Sequence, residues 1–560
     1  MNERAQTFDY IIVGAGSAGC VLARRLSEEK DRRVLLLEAG GRDAHYLLSM
    51  PLGFLRAMMN PRYSWGYWSE PEPQLNGRKV PLPRGRLLGG SGSINGMFYM
   101  RGHSLDFESW KALGCEGWGY ADVLPYFKRM ETSWRGAGKY HGAEGPLHVC
   151  AIDTTRLLHE PLFETAVPAG FNTSDDIHGD VEEGFARGEV TIDPRGRRAS
   201  TARAYLYPVM DRRNLTVTLD ALVTRVLIEH GRAVGVEYRQ DGKLQRVRAN
   251  AEVILAGGTY NSPQLLLLSG IGPAEDLRKL GIQPVADLPG VGRNLSEHPH
   301  IPVEFAAAVP NTFLNELRFD RAALSVMQWA LFGRGAFATQ INSCNIIIRT
   351  RPDLQQPDVQ LMCNPVRMDA KLWFPIVTPR QAHRLTADVV VLHQRSRGWV
   401  TLRSSNPLEA PRVQLNLFAD PEDFATARRG IWAARKIYST LPQARIVGEE
   451  TRPGAALKSD AELEAYIRAT AQVTQHPVGT CSMGTGPDAV VDPELRVRGI
   501  AGLRVADASI MPTVPGGNTN AAVIMVAEKA SDHIRGRVPL PPEHVRQLRA
   551  ATAAAHPEPA

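Results

Sequence analysis

Residues 8–42 read "FDYIIVGAGSAGCVLARRLSEEKDRRVLLLEAGGR". "FDYIIV" is a short apolar, β-branched run of the kind that forms a buried parallel strand. Gly14, Gly16 and Gly19 follow at G-x-G-x-x-G spacing, and "CVLARRLSEE" then carries helical periodicity. A second buried strand, "RVLLLEAG", ends in Glu38, 19 residues beyond the last glycine. Each part has a physical reason. Gly14 makes the tight turn, Gly16 lets backbone approach a pyrophosphate, and Gly19 lets helix and strand pack closely. The helix N-terminus offers unpaired N–H groups and a positive dipole end to phosphates. Glu38 can accept hydrogen bonds from both ribose hydroxyls and would repel a 2′-phosphate. Strand, glycines, helix, second strand and acid together predict a dinucleotide site. The spacing itself leaves NAD and FAD open. No second complete G-x-G-x-x-G follows, which argues against an additional nicotinamide unit.

The bulk numbers bound the rest. At 560 residues, 43% hydrophobic and 22% charged, the chain has an ordinary globular composition and is long enough for two domains. No apolar run approaches the roughly 18–20 residues that span a bilayer. The amino end is polar and then strand-like, with no secretory core. The expectation is a cytoplasmic protein, or one peripheral at the inner membrane. The formal charge of +6 comes from 54 Arg and 11 Lys against 59 acids, spread without blocks, and no nucleic-acid motif accompanies it. Six scattered cysteines without a C-x-x-C pair read as reduced thiols, with no metal site.

Two further segments are glycine-rich. Residues 84–102 read "RGRLLGGSGSINGMFYMRG", a run of small residues that lets backbone lie flat against a planar ligand. Residues 257–273, "GGTYNSPQLLLLSGIGP", follow the buried-strand pattern "AEVILAGG" at 251–258. Near the carboxy end stand "HPVGTCSMG" from His476, "RVADASIMP" from Arg504 and "GGNTNAAVIMVAEK" from Gly516. With "GAGSAG" these motifs resemble the glucose–methanol–choline (GMC) family of FAD-dependent oxidoreductases, from about Phe8 to about Ile534. Within it the chain is nearest in flavour to bacterial choline and alkanol dehydrogenases.

The resemblance implies a Rossmann-like FAD domain joined to an α+β substrate domain built on an antiparallel sheet. It implies that His476 lies over the reactive face of the flavin, with Asn520 as its partner. Chemistry agrees on the roles. Oxidising an alcohol requires removal of the O–H proton as hydride leaves carbon, and a neutral imidazole suits that base. An amide cannot take the proton but can orient the alkoxide. Asp507 and Ala508 are expected near the pyrophosphate and ribityl chain. Asn95, Gly96 and Met97 are expected to border the ring, with Gly90 and Ser91 beside the ribityl–phosphate. Val223 is expected to meet the adenine. Ser17, Ala18, Ala39, Arg86, Gly89, Ala256, Gly257, Asn518 and Thr519 complete the expected FAD contacts.

Departures from the family narrow the expectation. Some members attach FAD through a histidine just before the asparagine equivalent to Asn95; here that residue is Ile94, so FAD is expected to bind non-covalently. Choline-type members carry a glutamate that the resemblance places at Ser343, which favours a neutral primary alcohol oxidised to an aldehyde. Choline-type oxidation of a quaternary-ammonium alcohol is the nearest alternative, with Trp65, Tyr67 or Trp68 as cation–π partners. A non-redox or light-driven flavoenzyme of hydroxynitrile lyase type is a second. The electron acceptor (a quinone, a protein or oxygen) and the oligomeric state stay open. Gln475 and Glu297 replace more usual residues; Glu297 reads as structural, helping the FAD domain close.

The motifs divide the chain into an FAD domain of 1–154, 213–299 and 466–537. The substrate domain is expected at 155–212 and 300–465, with strands "DVQLMCNP", "ADVVVLHQ" and "RGWVTLRSS", and a flexible tail at 538–560. The methionine- and tryptophan-rich stretch 46–73 reads as a lid over FAD, or else as a hydrophobic entrance or membrane-surface contact.

Overall fold

The computed structural model describes residues 7–379 and 381–545. The first strand, Thr7–Val13, lies parallel between Val34–Leu37 and the end of the long strand Lys243–Leu255. Leu215–Thr218 extends the sheet beyond Val34–Leu37, and Leu503–Val505 joins Lys243–Leu255, both in parallel. Every residue of Val34–Leu37 is buried, as its unbroken aliphatic run requires of a strand covered on both faces. The first half of Lys243–Leu255 instead pairs antiparallel with Arg232–Gln240, which pairs with Leu222–Glu229. A parallel nucleotide sheet thus passes into an antiparallel meander.

Two helices cover this sheet. The opening helix, Ser17–Leu26, begins directly after Gly16 and packs beside the closing helix, Asn520–Ile534. Glu528 on the closing helix is fully buried, 2.9 Å from Arg25 Nε and 2.9 Å from Arg129 Nε, while Arg129 Nη1 reaches Asp532 at 2.7 Å. These ions clamp the two helices to a third, Tyr120–Met130.

The second sheet is antiparallel. Its order is Val447–Arg452, Glu304–Ala307, Arg384–Val391, Val359–Asn364, Cys344–Ile348 and Gly184–Ala186. Pro299–Ile301 bridges Arg384–Val391 to Gln472–Val473. The long helix Pro421–Tyr438, capped by the Asp420 side chain, lies so close to this sheet that a Cβ on Gly430 would sit 2.4 Å from Val389 Cγ1. The strand at Trp399–Thr401 pairs only with Arg412–Gln414, outside this sheet.

Two boundaries move from the sequence expectation. Ala199, Ala202, Tyr205, Leu206 and Val209, placed by sequence in the substrate segment 155–212, pack into the core of the nucleotide domain. Conversely Ile467, beyond the expected junction at 466, belongs with Leu463 to the second core. Both shifts have one cause: the buried side chains of each short helical segment follow its neighbours in space. Nor is the whole tail loose. Leu540 N–H donates to Tyr126 Oη at 3.1 Å, Glu543 N–H to Ala121 O at 2.9 Å, and Lys128 Nζ meets Glu543 at 2.6 Å. Residues 546–560 of the expected tail lie outside the described residues. Among the described residues all six cysteines are free, five of them buried. No helix there is long and apolar enough to cross a membrane.

Candidate active site

The glycine loops converge on one cavity of about 790 Å³ between the two sheets. Its lining includes Gly14, Gly16, Ser17, Ala18, Glu38, Ala39, Arg86 and Val223, with Gly90, Ser91, Ala256, Gly257, Asp507 and Ala508. Asn95, Gly96, Met97, Asn518, Thr519, Asn520 and His476 line the same space. Gly19 and Gly89 do not. A Cβ on Gly19 would fall 1.8 Å from Gly14 O, so this glycine serves helix–strand contact. Gly89 has φ +81° and donates its N–H to Ala15 O at 2.7 Å, tying the "GGSGSIN" loop to the first turn.

The shape and donors fit an FAD. Gly14 has φ +101°, and a Cβ there would lie 2.6 Å from Ala256 O. A Cβ on Gly90 would lie 2.8 Å from Gly16 Cα. Backbone from the two loops therefore meets with nothing between it and the cavity. Glu38 accepts Ala15 N–H and Gly40 N–H, each at 2.8 Å. Each carboxylate oxygen keeps lone-pair capacity for a ribose hydroxyl, although burial pushes this carboxyl up to about 7. Asp507 is committed to the protein: it accepts Gly258 N–H and Ser262 Oγ–H through Oδ2, and Ser509 N–H and Oγ–H through Oδ1. Its part is to lock the Gly257–Gly258 turn. Arg198, unnoticed in the sequence, is fully buried and donates to both Asn95 O and Asn95 Oδ1 at 2.7 Å. Ile94 is buried in the cavity wall.

His476 lines the cavity, and the amide beside it is that of Asn518, not of Asn520. His476 Nε2 lies 3.0 Å from the side-chain nitrogen of Asn518. Asn520 instead accepts Ser17 Oγ–H at 2.6 Å. The physical reason is local. Asn520 is the first residue of the closing helix, which turns its side chain toward the start of the opening helix. Asn518 still lies in the preceding loop, beside Gly517 at φ +152°, and faces the imidazole. Asn518 Oδ1 is buried without a partner among the described residues, an atom left for a ligand.

A second layer sets the base. His476 Nδ1 lies 2.8 Å from Thr474 Oγ1 and 3.1 Å from His298 Nδ1. If Asn518 donates to Nε2, the proton of His476 sits on Nδ1, toward Thr474 and His298. The free lone pair then faces Asn518 and the cavity. Burial, with the nearby Arg84 guanidinium, lowers His476 to about 3, so the imidazole is neutral at ordinary pH. Glu297 accepts the backbone N–H of His476 at 2.6 Å, and burial pushes its carboxyl up to about 8. Gln475, with φ +69°, is held by Arg84 at 2.6 Å and donates to Pro81 O at 3.1 Å. Arg84 and His298 carry no motif of their own, and of this layer the sequence singled out only Gln475 and Glu297.

Ser343 does not enter the cavity. Its hydroxyl donates to Leu157 O; the cavity's carboxylates are those of Glu38, Asp388, Glu409 and Asp507, of which Asp388 lies on the second sheet. From the 46–73 stretch, Phe54, Met58, Met59, Trp65 and Tyr67 line the same cavity.

Comparison with known proteins supplies the family. The GMC oxidoreductase profiles match residues 8–300 and 394–527. The chain is 43% identical over 537 residues to an oxygen-dependent choline dehydrogenase of Sinorhizobium fredii, covering 95% of this chain and 96% of that one. A counterpart in Rhizobium meliloti is 42% identical over the same length. Among solved structures, pyridoxine 4-oxidase from Mesorbium loti superposes with TM-score 0.85 at 29% identity, over 95% of this chain and all of that one. An Aspergillus oryzae formate oxidase variant gives 0.88 at 27%, over 95% of this chain and 98% of that one. The glycine-lined cavity, its fit to FAD and these matches agree: the chain belongs to the GMC oxidoreductase family of FAD-dependent enzymes.

Proposed function

We propose that this enzyme oxidises a primary alcohol to an aldehyde, with His476 as general base and Asn518 as the residue that orients the alkoxide. The reading rests on the 3.0 Å approach of Asn518 to His476 Nε2 at the cavity surface. The alcohol O–H donates to the Nε2 lone pair, which takes the proton as the C–H bond breaks. The Asn518 amide N–H turns to the developing oxyanion, where a prepositioned donor is worth most. Thr474 and His298 hold the other imidazole nitrogen, so the ring neither rotates nor presents N–H to the substrate. FAD, held non-covalently by the glycine loops, Glu38 and the Asn95 segment, supplies the hydride acceptor. Reoxidation falls to oxygen, a quinone or a protein, oxygen being the acceptor named for the choline dehydrogenase relatives.

A second reading, a quaternary-ammonium alcohol, is favoured by one observation. The cavity holds the Asp388 carboxylate together with Trp65 and Tyr67, so the absence of an acid at Ser343 does not leave the pocket without counter-charge. The test is anaerobic flavin bleaching by a panel of primary alcohols. His476→Ala is expected to keep its flavin and lose about 10²–10⁴-fold in reduction rate. Full activity in that variant overturns the assignment.

A further inference from the structure

The antiparallel sheet has two unlike faces. Leu361, Cys363, Ala387 and Val389 point into the second hydrophobic core. Their alternates Met362, Asn364 and Asp388 line the cavity, as strand periodicity requires. Met362 and Asp388 are cross-strand partners, and His300 pairs with Gln472 on the neighbouring bridge. A buried sheet face of this kind is ordinarily apolar; here it presents Asn364, Asp388, His300 and Gln472 to a cavity.

The side-chain bonding of this face is incomplete. Among the described residues Asp388 Oδ2 has only His300 Nε2, at 3.5 Å. Asn364 spends its amide nitrogen on Thr386 Oγ1 at 3.2 Å, which leaves its carbonyl as an acceptor. Gln340, fully buried in the same cavity wall, has no partner among the described residues for either its amide nitrogen or its amide oxygen. Native structures rarely leave both halves of a buried amide unpaired unless a ligand or water completes them. Three acceptors (the Asp388 carboxylate, Asn364 Oδ1 and Gln340 Oε1) and one donor, Gln340 Nε2, therefore await a group rich in N–H. The segment 472–476 joins this face directly to His476, and four residues span at most about 14 Å. A short chain can touch both.

We propose that this face recognises the far end of the substrate, and that the substrate is an amino alcohol whose protonated amine carries N–H. The assignment deepens the alcohol-oxidation reading and rests on it. An alkyl end would leave the acceptors unpaired, and a quaternary ammonium would meet the carboxylate but donate no hydrogen bond.

The experiment compares 5-amino-1-pentanol, 1-hexanol and 5-(trimethylammonio)-1-pentanol as anaerobic reductants of the holoenzyme's flavin. The expected result is a kcat/KM at least tenfold higher for the amine than for either other alcohol. Asp388→Asn is expected to erase the preference through KM, and Gln340→Leu to reduce it, each with flavin content per protein unchanged. Equal reduction by 1-hexanol or by the quaternary alcohol overturns the proposal, as does an undiminished amine preference in both variants. Reduction without amine preference leaves the alcohol chemistry standing and removes only this site. Failure of all three alcohols to reduce the flavin would overturn both.

Discussion

Substituting the two asparagines separately tests the local geometry most sharply. Asn518→Ala removes the amide that lies 3.0 Å from His476 Nε2 and, in the reaction, the donor to the developing alkoxide. A hydrogen bond to a charged group contributes about 1.5–3 kcal/mol. At about 1.4 kcal/mol per decade this predicts a fall of about 10- to 150-fold in the rate of flavin reduction. Asn520→Ala removes a neutral 2.6 Å bond from Ser17 Oγ, at the start of the helix that opens on the glycine-lined cavity. Such a bond is worth about 0.5–1.5 kcal/mol, and its loss is expected to weaken flavin retention while the reduction rate of flavin-loaded enzyme changes by less than about threefold. Stopped-flow absorbance under anaerobic conditions measures the first quantity, and flavin lost on dilution measures the second. If Asn520→Ala slows reduction more than Asn518→Ala, the orienting role belongs to the other asparagine and the reasoning fails.

Three further outcomes follow from the same coordinates. Acid precipitation is expected to leave all the flavin in the supernatant, because Ile94 stands where a covalent tether would need a nucleophile; a yellow pellet would refute this. Glu528→Gln leaves Arg25 and Arg129 without their shared buried carboxylate; a loss of about 3–5 kcal/mol, read by urea denaturation, is expected, and a change under 1 kcal/mol would contradict it. His298 and His476 both have their pKa lowered by burial, His476 to about 3, so the folded state excludes protons that the unfolded chain binds below about 6.5. Their contribution is present above that pH and is lost as pH falls from about 6.5 toward 3, while Glu297, raised to about 8, contributes most below about 4.5 and loses that as pH rises to 8. Between about 6.5 and 4.5 the gains from Glu297 and Glu38, raised to about 8 and about 7, offset the histidine losses, so thermal midpoints are expected to fall on acidification below about 4.5, and less steeply in His476→Asn; parallel pH profiles would count against it.

Much of the nucleotide domain was legible because its parts are local. "FDYIIV", the glycines and "RVLLLEAG" each fix a conformation within a few residues, and the order of the parts dictates a parallel sheet. The strands "DVQLMCNP" and "ADVVVLHQ" were legible for the same reason. The second sheet's order was not, since it joins residues 184, 299, 304, 344 and 447, whose meeting no local pattern records. The exchange of Asn518 for Asn520 is more instructive. Both belong to "NTN", and which of them faces His476 depends on where the helix begins, a boundary that sequence places only to within a few residues. A shift of two residues turns a side chain by about 200° around a helix axis, enough to carry it from the base to Ser17. Gln340 and Asp388 left no signal at all, because an unpaired polar atom is a property of its surroundings.

What holds His476 and the cavity wall of the second sheet in register is the short run "NLSEHPH" at 294–300. Leu295 exchanges backbone hydrogen bonds with Gly398, and Ser296 with Val478, which seats the run between the two domains. Glu297 then takes the backbone N–H of His476, and His298 meets its ring. Two residues later His300 faces Asp388 from a strand of the second sheet. His298 and His300, two residues apart, share one side of this run and flank Pro299, so a displacement by one residue would lose both contacts together. The segment that joins the sheets thus also holds the Nδ1 side of the His476 ring and leaves Nε2 toward Asn518 and the cavity.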